Sequence, residues 1–308
     1  MSLHPQVRAF LDMVASLEGS ELYEMPAPEA RKRFAVLTAG GTPEERAQTK
    51  DLAIPGPGGP IPVRIYTPEG SGPFPVIVYF HGGSFILGDL QTCDTLCHRL
   101  CASVGAVIVN VDYRLAPEHP FPAGLDDAFA VATWVSGHAA EIDGDPSRIA
   151  LAGNSAGANL VAVTCLRARD RGGPNIAFQL MLSPIVDFTG NSPSRHENAE
   201  GYVLTAADLK WTEGHYIPEG IEHTEPELSP IFAKDLSRLP PALVITAEFD
   251  PLRDEGETYV RLLREAGTQA DLTRYDGMIH GFYLMDSLDA SRVALRQIVQ
   301  ALQEAFAR

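Results

Sequence analysis

Ile149-Ala150-Leu151-Ala152-Gly153-Asn154-Ser155-Ala156-Gly157 is the stretch that decides the fold. An apolar run, 149–152, leads directly into a G-x-S-x-G pentapeptide, and a helix-forming pattern follows it. This order of strand, tight turn and helix is the one that a nucleophile elbow requires. The serine of such an elbow lies at a strained corner, so the residues two before and two after it must be small. Gly153 and Gly157 meet that demand, and Ser155 is therefore the candidate nucleophile.

The rest of the chain alternates short apolar runs with helical patterns. Helices are predicted near 90–103, 124–138, 156–169, 256–267 and 289–306. Continuous apolar runs are typical of strands that are covered on both faces. The predicted strands are 76–80, 107–111, 149–152, 179–182, 242–246 and 270–275. This alternation predicts an α/β fold with one central, mostly parallel sheet flanked by helices.

Three segments depart from the alternation. Residues up to about Lys50 precede the first strand, and their pattern predicts two amphipathic helices. The stretch 54–61 is rich in proline and glycine, and it is interpreted as a hairpin turn between two edge strands. The residues from about Asp187 to Pro230 interrupt the alternation and are interpreted as an insertion.

A serine hydroxyl is a poor nucleophile unless a neutral imidazole accepts its proton. In proteins with a nucleophile elbow, the acid and then the histidine follow the serine along the chain. Among the nine histidines, only His280 lies after the acid candidates at strand ends, in the loop past the predicted strand 270–275. His280 is therefore the predicted base.

Two carboxylates could orient that histidine, because each follows an apolar strand. Asp250 is preferred, since it lies on the strand immediately before that of His280, whereas Asp187 opens the insertion. Asp254 is expected to cap a helix or to pair locally.

Attack on a carbonyl leaves negative charge on its oxygen, which preorganised N–H donors stabilise. Ala156 follows the nucleophile directly and is expected to provide one donor. The segment 81–85, His-Gly-Gly-Ser-Phe, leaves the end of the predicted strand 76–80. Gly82, Gly83 and Ser84 are expected to complete the oxyanion hole, since glycines let the main chain approach a substrate closely.

With these residues in place, the chain resembles the hormone-sensitive-lipase family of bacterial carboxylesterases, within the α/β-hydrolase superfamily, from about residue 50 to 308. The matching segments are 81–85, 112–118, the elbow, 250–256 and 280–282. The resemblance implies an α/β-hydrolase fold with a small helical cap, formed by residues 1–50 and 187–230. The catalytic core would then be 51–186 and 231–308.

The resemblance also implies substrates that are uncharged esters with short to medium acyl chains, held between cap and core. Phe85 and Ile279 are expected to contact such a substrate, because they adjoin catalytic positions. Ser84 stands where the family commonly has glycine, and it is expected to change the acyl pocket more than the oxyanion hole. Asn154 stands where aspartate is usual, and the lost charge is expected to alter the response to pH or salt without abolishing activity.

Composition excludes several classes of partner. Lys and Arg number 24 against 40 Asp and Glu, and the net charge of -16 repels nucleic acid and anionic membranes. No apolar stretch approaches the ~18 residues of a membrane span, and no secretory signal is present, so a cytoplasmic location is predicted. Cys93, Cys97 and Cys101 do not have the spacing of a metal site and are expected to be buried in the core.

The predicted function is hydrolysis of carboxylic esters by a Ser-His-Asp mechanism, with no cofactor and no metal; assembly as a homodimer is left open. An amidase or deacetylase with the same triad is an alternative. A non-catalytic, small-ligand-binding homologue is the alternative from another class. It is disfavoured, because the plant hormone receptors of this fold have lost the histidine and His280 is retained here.

Overall fold

The computed structural model describes residues 2–16, 20–39 and 47–308. Its strands are β1 (Gln48–Gly56), β2 (Gly59–Thr67), β3 (Phe74–Phe80), β4 (Val107–Val111), β5 (Gly144–Asn154), β6 (Phe178–Leu182), β7 (Ala242–Phe249) and β8 (Ala270–Ile279). Its helices are α1 (Pro5–Ala15), α2 (Ala27–Leu37), α3 (Asp94–Val104), α4 (Ala123–His138), α5 (Ala156–Arg171), α6 (Pro193–Glu197), α7 (Ala206–Tyr216), α8 (Arg253–Glu265) and α9 (Asp289–Phe306).

The strands form one eight-stranded sheet with the order β1-β2-β4-β3-β5-β6-β7-β8. β1 pairs antiparallel with β2, and β2 pairs antiparallel with β4. The pairs from β4 through β8 are parallel. The prediction of a mostly parallel α/β sheet is therefore confirmed. Because the carboxyl ends of parallel strands lie on the same side of a sheet, the loops that follow β3, β5, β7 and β8 meet there.

The predicted hairpin is present, but the expectation of two edge strands is wrong. Of the two hairpin strands, β1 is an edge strand and β2 is not, because β2 also pairs with β4 through residues 63–66. Pro60 and Pro62 precede that pairing, so their missing N–H groups leave the ladder to β4 intact.

The predicted helices after the hairpin are all present, although the first begins later than expected. Residues 90–93 form turns, and α3 begins at Asp94. The Asp89 carboxylate accepts hydrogen bonds from the N–H groups of Gln91 and Thr92, which closes these turns. A side chain that binds nearby backbone groups in this way competes with helix formation.

The core lies on both faces of the sheet. Alternate residues of β3 belong to different apolar clusters, with Val76 and Val78 in one and Ile77 and Tyr79 in the other. Side chains of successive strand residues point to opposite faces, so each face has its own buried layer. Cys93, Cys97 and Cys101 are free and buried in the second cluster, as predicted. No helix within the described residues has the length and apolarity to cross a membrane.

Candidate active site

Ser155 lies at a strained corner between β5 and α5. Its backbone angles are φ 53° and ψ −117°, in a region that residues with a side chain rarely adopt. A Cβ atom on Gly157 would lie 1.9 Å from the carbonyl oxygen of Phe80, and one on Gly153 would lie 2.5 Å from that of Gly157. Both contacts are too short for any side chain. The close approach of strand and helix therefore requires the two glycines of the pentapeptide.

The main chain of Ser155 is held on both sides of the corner. Its N–H donates to the carbonyl oxygen of Leu182 at 2.8 Å, and its own carbonyl accepts from Ala158 and Asn159 at 3.0 and 3.2 Å. Ser155 is half-buried, whereas its neighbours in the elbow are buried. Ala156 begins α5, so its N–H is one of the donors that a helix leaves free at its first turn.

His280 follows β8 and binds the acid that follows β7. Its Nδ1 lies 2.8 Å from Oδ2 of Asp250, whose side chain is fully buried. Oδ1 of Asp250 accepts from the N–H of Leu252 at 2.8 Å, which fixes the carboxylate. Because a carboxylate accepts hydrogen bonds, Nδ1 carries the proton and Nε2 is left as the acceptor.

The alternative acid does not contact His280. Oδ1 of Asp187 accepts from the N–H and the hydroxyl of Thr189, at 2.8 and 2.6 Å. Asp187 is thus occupied by a local turn at the start of the insertion. Asp254 pairs with Arg253 and accepts from the N–H of Ser194, in agreement with its predicted local role.

One carbonyl connects the loop of His280 to the elbow of Ser155. The hydroxyl of Tyr283 donates to the carbonyl oxygen of Leu182 at 3.2 Å, and the N–H of Ser155 donates to the same oxygen. Tyr283 follows His280 by three positions and is buried. No sequence pattern singles it out, because its partner lies about a hundred residues away along the chain.

The backbone of residues 83–87, here called the Gly83 turn, has three N–H groups, those of Gly83, Ser84 and Phe85, that donate to no acceptor among the described residues. The carbonyl oxygen of Gly83 accepts from Ile86 and Leu87 at 3.0 and 2.7 Å. Gly83 and Ser84 have φ values of 122° and 57°. Within the described part of the chain, neither of their N–H groups donates to a protein acceptor. Gly83 and Ser84 thus retain the free donors that an oxyanion hole needs.

The expectation for Gly82 is corrected by the structure. Its N–H donates to Oδ1 of Asn154 at 3.0 Å, so this donor is not free for a substrate oxygen. A Cβ atom on Gly82 would lie 2.4 Å from Nδ2 of Asn154, so the main chain here needs a glycine. Gly82 therefore supports the Gly83 turn instead of joining its donors.

The side-chain oxygen of Asn154 accepts three hydrogen bonds. Its Oδ1 accepts from the hydroxyl of Tyr79 at 2.9 Å, the N–H of Gly82 at 3.0 Å and the thiol of Cys93 at 3.6 Å. Burial raises the pKa of the Tyr79 hydroxyl, and it raises the pKa of the Cys93 thiol to about 12, so both groups remain protonated donors. An amide oxygen satisfies all three donors, which explains why asparagine is compatible with this position.

His81 has a structural position beside the same loop. Its ring stacks on Tyr113 with centroids 4.5 Å apart, and its Nδ1 lies 2.8 Å from the carbonyl oxygen of Gly82. Complete burial lowers the pKa of His81, an effect that the Gly82 hydrogen bond partly opposes. A neutral, stacked and buried ring at His81 therefore helps to fix the loop.

A comparison with known protein families agrees with the geometry of this site. A family model described as the alpha/beta hydrolase fold matches residues 77–284, which include the elbow, the Gly83 turn, Asp250 and His280. The chain belongs to this α/β-hydrolase family. The resemblance to the α/β-hydrolase superfamily that the sequence shows is therefore confirmed.

Relatives of this α/β-hydrolase include enzymes that are named as esterases. The carboxylic ester hydrolase LipN of Mycobacterium tuberculosis is 42% identical over 281 residues, which cover 89% of this chain and 75% of LipN. An arylesterase of Saccharolobus solfataricus is 35% identical over 308 residues, covering 99% of this chain and 100% of the relative. The structure of a hyperthermophilic esterase from Pyrobaculum calidifontis has a TM-score of 0.93 at 42% identity, with 99% of both chains covered.

Phe85 and Ile279, the two residues predicted to contact substrate, belong to different apolar clusters of this α/β-hydrolase. Phe85 has φ 59° and stacks on Tyr216 of α7, with ring centroids 3.8 Å apart. Ile279 is fully buried in the cluster that also holds Met278 and Phe282. Phe85 therefore contacts the predicted insertion. Across the residues that the structure describes, no group of three or more His, Cys, Asp or Glu side chains could hold a metal ion.

Proposed function

We propose that this α/β-hydrolase is a carboxylesterase that uses Ser155 as nucleophile, His280 as general base and Asp250 to orient the histidine. The observation that carries the proposal is the 2.8 Å contact between His280 Nδ1 and the buried Asp250 Oδ2. It leaves Nε2 free to accept a proton, at the sheet edge where the Ser155 corner also lies. The esterase relatives support the same chemistry.

The proposed reaction has two steps. Nε2 of His280 takes the proton from the Ser155 hydroxyl while Oγ attacks the ester carbonyl. The resulting oxyanion accepts hydrogen bonds from the N–H groups of Gly83, Ser84 and Ala156. His280 then gives the proton to the leaving alcohol, and the acyl-enzyme forms. In the second step the same histidine activates water, which releases the acid and restores Ser155.

The cap is proposed to consist of residues 1–50 and 187–230, over a core of 51–186 and 231–308. Residues 1, 17–19 and 40–46 lie outside the described part of the chain. Three contacts support this division. Tyr216 stacks on Phe85, the 3₁₀ helix Leu22–Glu24 contacts α7, and the carbonyl of Tyr216 accepts from Phe121 at 2.9 Å. Asp208 of α7 also lies within electrostatic range of His280; burial raises the pKa of Asp208, and hydrogen bonds with Thr205 and, to a smaller extent, the proximity of His280 oppose that shift.

A cytoplasmic location is part of the proposal, and the four free cysteines support it, since reducing compartments keep thiols unpaired. Roles of Phe85 and Ile279 in substrate binding stay predictions, as does assembly as a homodimer. The substrate is proposed to be a small uncharged ester with a short to medium acyl chain.

Turnover of p-nitrophenyl esters from acetate to dodecanoate tests the proposed function. We expect measurable hydrolysis that is fastest among the short and medium acyl chains and much slower for the longest. The p-nitroanilides of the same acids are expected to react far more slowly. Faster hydrolysis of the anilides would indicate an amidase, and no turnover of either series would indicate a ligand-binding protein.

Asn154 provides a prediction about the support of the oxyanion hole. Asn154→Leu keeps the branched shape of the side chain but removes the acceptor, leaving the buried donors of Tyr79 and Gly82 unpaired at about 1–3 kcal/mol each. We expect kcat to fall by about 10- to 100-fold and the melting temperature to decrease. Asn154→Asp keeps the acceptor, and its kcat is expected to stay within about 5-fold of wild type, with a changed dependence on salt. Equal kcat losses in the two variants would contradict the acceptor role.

A further inference from the structure

Arg31 of α2 joins the N-terminal segment to the Gly83 turn. Its Nε donates to the carbonyl oxygen of Ile86 at 2.8 Å, and its Nη2 donates to that of Ala116 at 2.8 Å. The guanidinium also forms two hydrogen bonds with the carboxylate of Glu118, at 2.9 and 2.5 Å. A single side chain thus binds two carbonyls from loops that lie 55 and 85 residues away along the chain.

Among the described residues, every hydrogen bond of the Gly83 turn backbone is accepted by one of its carbonyl groups. The carbonyl of Gly83 accepts from within the turn, that of Phe85 accepts from the N–H of Ala116 at 2.9 Å, and that of Ile86 accepts from Arg31. The N–H groups of Gly83 and Ser84 make no such bonds among the described residues. The orientation of these free donors therefore depends on bonds made by the carbonyls of the same turn.

The turn needs outside support because its backbone is strained. Ser84 and Phe85 both have positive φ values, 57° and 59°, although neither is glycine. Such conformations persist only where surrounding contacts over-determine them. Arg31 supplies one of these contacts, and the Ala116 loop that it also binds supplies another.

The pairing with Glu118 contributes little to overall stability. The side chains of Arg31 and Glu118 are 28% and 47% exposed, and exposed ion pairs are screened by solvent. Arg31 lowers the pKa of Glu118 to about 2, so the pair stays charged at any pH suited to the enzyme. The pair holds the guanidinium in place for its two carbonyl partners.

We infer that Arg31 is a positioning residue for the oxyanion donors, so that the N-terminal segment helps to set the rate of acyl transfer. Loss of Arg31 frees the carbonyl of Ile86, and the N–H groups of Gly83 and Ser84 then sample orientations that bind the oxyanion less well. Substrate binding before the reaction does not use these donors fully and is affected less. This inference rests on the proposed carboxylesterase function.

The test compares Arg31→Met, Arg31→Lys and Arg33→Met in the full-length enzyme. Arg33 lies on the same helix, and no hydrogen bond or ion pair of its side chain occurs among the described residues, so its variant controls for the lost charge. With p-nitrophenyl butyrate, Arg31→Met is expected to lower kcat by about 10- to 100-fold and to change KM by less than about 3-fold, since one oxyanion donor is worth about 10²–10³ in rate. Arg31→Lys cannot reach both carbonyls and the carboxylate, so only partial rescue is expected.

A second readout separates positioning from simple loss of folded protein. A trifluoromethyl ketone inhibitor forms a charged tetrahedral adduct with the serine, so its inhibition constant should rise in parallel with the loss in kcat/KM. Titration of active sites with a phosphonate corrects kcat for any unfolded fraction. If Arg31→Met matches Arg33→Met in kcat per active site, or if its inhibition constant is unchanged, the inference is wrong. Failure of wild type to hydrolyse any ester would instead overturn the proposed function.

Discussion

Ser155→Ala is expected to abolish ester hydrolysis, with a loss in kcat on the order of 10⁶. The hydroxyl is the only group proposed to form a covalent bond with the substrate, and the members of a catalytic triad act as a unit. The protein is expected to fold normally, because the Ser155 hydroxyl makes no hydrogen bond among the described residues that the substitution would remove. The measurement is kcat for p-nitrophenyl butyrate, together with the melting temperature.

Ser183→Ala provides a matched control for this experiment. Ser183 follows the neighbouring strand β6, also has a positive φ, 45°, and has a buried hydroxyl without a partner among the described residues. Its replacement is expected to leave kcat near the wild-type value. Ser155→Ala turnover within about 10-fold of wild type would show that Ser155 is not the nucleophile.

Asp250→Asn is expected to lower kcat by about 10⁴, the effect of the corresponding change in a well-studied triad. The amide presents an N–H where Oδ2 now accepts from Nδ1 of His280. The histidine then holds its proton on Nε2, where it cannot accept one from Ser155. Because an amide oxygen can still accept from the N–H of Leu252, the loop itself is expected to remain in place.

Asp187→Asn is the matched control for Asp250→Asn. Both aspartates are buried, with 0% and 9% of their surface exposed, and both follow strands of the same sheet. An amide oxygen at residue 187 can still accept from the N–H and hydroxyl of Thr189, so kcat is expected to change less than about 5-fold. The opposite ranking of the two variants would assign the role to Asp187.

Sequence patterns were sufficient where the information is local. The apolar runs specified the strands, and the pentapeptide at 153–157 specified the corner at Ser155, because only glycines permit contacts as short as those at Gly157. The order of residues along the chain then selected His280 and favoured Asp250. The helical pattern does not predict the start of α3 at Asp94, because the Asp89 carboxylate accepts from the N–H groups of Gln91 and Thr92 and closes turns before the helix.

Around Ser155, the sequence by itself determined the strand, the turn, the helix and the candidate serine and histidine, whereas the contact of Asp250 with His280 is a feature of the tertiary structure. Only the tertiary structure decided which groups support them. Asn154 binds Tyr79 and Gly82 across 75 and 72 residues, Tyr283 reaches Leu182 across 101, and Arg31 reaches Ile86 across 55. Strand and helix periods extend over a few residues, so they carry no signal for hydrogen bonds between distant segments. Such bonds are specified only when the folded sheet brings its loops to one edge.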